Sequence, residues 1–228
     1  MSRVSSLIQI PKVSQLGAYR LSKANDVDPY VLFTWLRMCD LIVGNQGINK
    51  KLDVERLKET TPLIKLLMYE EFANIKPRLT DYFAECGIKF SIVKNFKGAP
   101  VQGVIKENED CTLSLIMTTR RKFADIFWFT LFHEIGHIIN DDIEEKLIDY
   151  DFAEGAAEEK ADKFASNTLI DADRYPEFVK AREFTKNSIE EFSAENGIPS
   201  YVLICRLQKD EHIPYHSYSS EKVKCSLD

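Results

Sequence analysis

Apolar residues recur at two spacings along this chain, and the spacing switches near residue 88. Val31, Leu32, Trp35, Leu36, Cys39, Ile42 and Val43 lie on one stripe of a 3.6-residue period, which predicts an amphipathic helix. Asp28 suits its N-cap, Pro29 its first position, and Gly44 with Asn45 its end. Thr61 followed by Pro62 predicts a second helix start, opening LIKLLMYEEF, and Ile75, Leu79 and Phe83 mark a third helix that runs to Gly87. The period then becomes two. Ile88, Phe90 and Ile92 alternate with Lys89 and Ser91, and residues 101–106 and 111–117 flank a polar ENED turn. The expectation is a small antiparallel sheet with residues 113–117 as its edge strand. Helical spacing returns from Phe127, breaks between Asp171 and Pro176, and resumes as two short helices around Gly197. The polar tail from His216 is expected to be loose.

These elements predict an α+β fold, mostly helical, with the small sheet just before the helix that opens at Phe127 and a helical pair at the C-terminal end. The expected organisation is a helical region over residues 1–70, a core over 71–180, and a C-terminal helical subdomain and tail over 181–228. A chain of 228 residues can bury one sizeable core. Its 44% hydrophobic and 29% charged content is ordinary for a globular protein.

The formal charge of −6 is unevenly placed. Residues 141–159 hold nine acids against Lys146 alone, so the rest of the chain is slightly basic. Beside a binding site such a segment would repel nucleic acid and favour a basic peptide segment, and its plain reading is a solvated loop and helix face. Residues 186–210 have helix-turn-helix spacing, yet carry Lys186, Arg206 and Lys209 against Glu190, Glu191, Glu195 and Asp210. That balance disfavours direct DNA binding and predicts a packing unit. Between Met1 and Pro11 the apolar residues are Val4, Leu7, Ile8 and Ile10, too few for a signal peptide, and no stretch approaches a membrane span. A cytoplasmic location is expected. Cys39, Cys86, Cys111, Cys205 and Cys225 are odd in number and never spaced C-x-x-C, which reads as reduced, mostly packed thiols.

The chemistry concentrates at His133, Glu134 and His137, the pattern H-E-x-x-H. Positions i and i+4 share a helix face, so both imidazoles can reach one Zn²⁺. Three fixed letters match by chance in about one chain in thirty or forty of this length, so the flanks decide. Phe127, Trp128, Phe129, Leu131, Phe132, Ile138 and Ile139 make the helix apolar nearly all round, and therefore buried. Histidines and a glutamate buried there need partners, which a cation supplies. A catalytic zinc takes a third protein ligand, and Glu158 is the candidate. It lies on a helix marked by Ala157, Ala161, Phe164, Ala165, Thr168 and Leu169. Asp162, one turn on, can accept the N–H of a ligating histidine.

FWFTLFHEIGH followed by EEKADKFASNTLI resembles the ImmA/IrrE-type zinc metallopeptidases, a compact branch of the thermolysin-like zincins. The resemblance runs over about residues 81–215, and residues 29–40 resemble the helix such regulators carry ahead of the peptidase core. It implies a compact zincin core with the small antiparallel sheet over the H-E-x-x-H helix, with His133, His137 and Glu158 as metal ligands, Glu134 as general base and Asp162 as the acid that follows the third ligand by four. Many relatives begin with a DNA-binding helix-turn-helix domain, and nothing before Asp28 reads as one. The expected function is zinc-dependent cleavage of a protein, and the resemblance implies a transcriptional repressor or partner regulator as substrate. The rivals are a regulatory module that keeps the fold without cutting and a zinc hydrolase of small molecules. For a donor to the tetrahedral oxyanion the candidates are Tyr150, His212 and Tyr215.

Overall fold

A computed structural model describes residues 28–108, 110–120, 122–143, 148–150 and 155–225. For 148–150 the backbone alone is described, so the Tyr150 side chain, like residues 1–27 and Glu154, lies outside the described residues. The first helix, α1 (Pro29–Gly44), begins as its sequence predicts: the Asp28 carboxylate accepts from the N–H groups of Tyr30 and Val31. The second, α2 (Val54–Leu66), starts eight residues before the expected Thr61, capped by Asp53, which accepts from the Arg56 N–H. Pro62 therefore sits inside it, and the Thr60 and Thr61 hydroxyls bond back to the carbonyls of Arg56 and Leu57. Helix α3 (Phe72–Glu85) buries Ile75, Leu79 and Phe83, the three residues that predict it.

The sheet departs from expectation in composition and order. Among the described residues it has four strands, β1 (Ile88–Val93), β2 (Val101–Glu107), β3 (Leu113–Thr118) and β4 (Ile148–Tyr150), in the order β1-β3-β2-β4. β1 pairs parallel with β3, while β2 pairs antiparallel with both β3 and β4, so the sheet is mixed rather than antiparallel. Residues 113–117, the expected edge, lie in the interior strand β3. Every residue of β3 and of β1 is buried, because helices cover both faces. Trp35, Leu32, Cys39 and Val43 of α1 press on one face against Val93, Val104 and Ile116. On the other face Ile88, Phe90, Leu115 and Met117 join the main core. Each large side chain so buried is worth about 1.5–3 kcal/mol.

The outer edge of β1 is closed by side chains. The Gln46 amide donates to the Phe90 carbonyl and accepts from the Phe90 N–H, and the Lys76 ammonium donates to the Ile92 carbonyl. β4 ends the sheet on the opposite side.

Helix α4 (Ala124–Asn140) carries H-E-x-x-H, and α5 (Ala156–Leu169) packs along it. Then come α6 (Arg174–Ala181), α7 (Lys186–Glu195) and α8 (Ser200–Lys209). The expected break at 171–176 is shorter than predicted. The Asp171 carboxylate accepts from the N–H groups of Asp173 and Arg174, so Pro176 falls in the first turn of α6. Six residues of α8, among them Val202, Leu203 and Leu207, are buried.

The tail is not loose as far as it is described. The Gln208 amide, 1% exposed, donates to the carbonyls of Tyr215 and Ser217, and the Ala124 N–H and Val223 carbonyl join the tail to the start of α4. One core cluster runs from Leu57 to Cys225, across the positions expected as boundaries at 70 and 180. No helix among the described residues is long and apolar enough to cross a membrane.

Candidate metal centre

Apolar surroundings bury α4 along its length: His133 is 6% exposed, Glu134 1% and His137 0%. Helix α5 comes close enough to complete the site because Gly136 has no side chain. A Cβ there would meet the Ala161 Cα at 3.1 Å and the Phe164 Cβ at 3.2 Å.

The close approach brings His133, His137 and Glu158 together, with one ligand atom from each within 4.8 Å of the others. The two Nε2 atoms are 3.0 Å apart. Glu158 places Oε2 3.2 Å from Nε2 of His133 and Oε1 3.6 Å from Nε2 of His137. Ligands bonded at 2.0–2.1 Å in tetrahedral geometry are separated by about 3.3 Å, so these spacings suit one small metal ion.

The opposite ring nitrogens are both held by acids. Nδ1 of His133 is 2.8 Å from an Asp162 oxygen, and that bond holds the Asp162 carboxyl below the ordinary range. Nδ1 of His137 is 2.6 Å from an Asp142 oxygen. Carboxylates at both Nδ1 positions place the protons there and turn the Nε2 lone pairs toward Glu158. Three acceptor atoms facing one another are mutually repulsive, and a cation between them removes the repulsion. Three carboxylates, those of Asp142, Glu158 and Asp162, thus meet the two imidazoles. The group can therefore hold a metal ion.

Asp142 has a role that its sequence position conceals. It belongs to the acidic run expected to be solvated, yet its side chain is 15% exposed. Helix α4 ends at Asp141 in the left-handed conformation, φ 57°, and the Asp142 N–H bonds back to the His137 carbonyl. That reversal puts the carboxylate against the ring. A second unforeseen residue is Gly103 on β2, where a Cβ would lie 2.4 Å from Oε1 of Glu134. The Glu134 carboxylate is thus seated directly against the strand. Its Oε1 is buried with no hydrogen-bond partner among the described residues, an expensive state for a group with no task.

A cavity of about 650 Å³ opens from His133, Glu158 and Asp162 and runs between α4, α5, α8 and the tail. Of the residues proposed to face the oxyanion, Tyr215 lies on the cavity wall, whereas His212 stacks on Phe184 at 6.1 Å and does not line it. No protein-family model and no curated protein matches the chain. What fold and site define is an α+β protein with a buried two-histidine, one-carboxylate group suited to a metal ion.

Proposed function

We propose that the chain is a zinc-dependent peptidase of the ImmA/IrrE type that cleaves a protein substrate, a transcriptional repressor or partner regulator. The observation that carries this reading is the convergence of His133, His137 and Glu158 at the helix that also buries Glu134, whose Oε1 has no hydrogen-bond partner among the described residues. Two nitrogens and one carboxylate, with an open side toward a cavity, form the donor set of a catalytic zinc site. The chemistry a bound zinc supplies is Lewis acidity, acting on a water and on the scissile carbonyl.

The chain's own residues supply the rest. Asp142 and Asp162 orient the two rings and raise their basicity. Glu134 takes the proton of the attacking water and passes it to the leaving amine, and burial against Gly103 keeps its carboxylate in one position. β4 pairs with Gly103 through Asp149 and is the outermost strand beside the site. An extended peptide adds to that edge by backbone hydrogen bonds, since the far edge at β1 is occupied by Gln46 and Lys76.

The test is Glu134→Gln, which keeps the shape and removes the base. Incubated with a genetically adjacent repressor and followed by intact mass, the parent produces fragments, and the variant does so about a hundred- to ten-thousandfold more slowly while keeping its metal. Equal regulatory output from both proteins, with no fragment from either, contradicts cleavage and favours a binding module.

A further inference from the structure

The wall of the cavity away from the metal ligands is unlike the acidic stretch around them. It presents three bases, Arg206, Lys209 and Lys222, and one acid, Asp125. Arg206 is already engaged, its Nε 2.7 Å from Asp210 and its Nη1 donating to the Ser166 hydroxyl at 3.0 Å. Burial and the neighbouring Asp125 carboxylate push the Cys205 thiol up. Lys209 and Lys222 form no ion pair among the described residues. The Lys209 ammonium rests over the Phe129 ring, 4.7 Å from its centroid, and that ring is 6.4 Å from His133. Lys222 donates to the Tyr215 carbonyl at 3.4 Å and stands 5.9 Å over the Tyr215 ring. The same cavity is also lined by the apolar Ile126, Phe129, Leu169 and Val202.

Resting on the peptidase reading, we infer that the cavity selects substrates with an acidic side chain within a residue or two of the scissile bond. Lys209 and Lys222 are its specificity-determining residues. The Phe129 ring lies 4.7 Å from the Lys209 ammonium and 6.4 Å from the His133 ring, a reach that one extended residue, about 3.3 Å, and a glutamate side chain can cover. The aliphatic stem of such a side chain packs on Ile126 and Val202, and its carboxylate meets two ammonium groups that form no ion pair among the described residues, Lys209 also acting at longer range on Asp162.

The experiment measures binding to the zinc-loaded protein by calorimetry. The probes are three dipeptide hydroxamates that differ only in Glu, Gln or Lys next to the metal-binding group, with acetohydroxamate as a reporter of the metal alone. The parent is expected to prefer the Glu probe by roughly threefold to tenfold, less at high salt. Lys209→Gln with Lys222→Gln abolishes the preference, and Lys209→Glu with Lys222→Glu turns it toward a Lys probe. Equal binding of the Glu and Gln probes by a parent that binds acetohydroxamate overturns the inference and leaves the peptidase reading standing. Failure to bind acetohydroxamate overturns both.

Discussion

The two faces of the sheet bury polar groups in opposite ways. On the α1 side each such bond ends within the protein: the Thr118 hydroxyl donates to the Val101 carbonyl, the Trp35 indole to the Lys94 carbonyl, and Lys89 reaches Asp110 at 2.6 Å. On the α4 side, His133, His137 and Glu158 aim acceptor atoms at a common point, and Glu134 keeps an oxygen without a partner among the described residues. Burial alone therefore does not mark a site. A local arrangement that is costly unless something binds does mark one, whereas satisfied polar groups contribute to stability.

Substitutions that act on one face separate the two behaviours. Trp35→Ala leaves a hole between α1 and the sheet, and should cost about 3–5 kcal/mol in urea unfolding while the folded fraction keeps its metal affinity. Loss of metal affinity in the folded variant would mean that the two faces are coupled. On the site face, Asp142→Asn and Asp162→Asn should each weaken zinc binding by about ten- to a hundredfold, with stability of the metal-free protein little changed. Asp142 should show the larger effect, because its side chain is 15% exposed against 54% for Asp162. Competition with a chromophoric chelator ranks them, and a larger loss at Asp162 reverses the assignment.

A smaller effect concerns acid. The Lys89 hydrogen bond, helped by Thr112, holds the Asp110 carboxyl down to about 2. A group whose value is lowered by folding stabilises above its unfolded value of 3.8 and loses that contribution as pH falls toward 2. Between those values the parent should lose stability more steeply than Asp110→Asn, whose curve lacks this contribution. Parallel curves would assign the acid sensitivity elsewhere.

What could be read from the sequence follows the range of the interactions. His133, His137, Glu158 and Asp162 were legible because helical spacing sets which side chains share a face, and the apolar flanks implied burial. Asp142 was not, because its position depends on the left-handed turn at Asp141, which no periodicity announces. Strand β3 was legible as a strand but not as the centre of the sheet, since alternation carries no information about neighbours. Gly103 and the ordered tail depend on contacts between distant segments, Gly103 with Glu134 and Val223 with Ala124. Pro62 misled because a proline suits a helix start, while the Asp53 cap that begins α2 lies eight positions before Thr61.

The most direct measurement is metal content by mass spectrometry of protein purified without chelators, for the parent, Glu134→Gln and Glu158→Ala. The account predicts one zinc per chain in the parent and in Glu134→Gln, and loss of most of it in Glu158→Ala with the fold retained by circular dichroism. A folded parent that carries no metal and takes up no added zinc would contradict it.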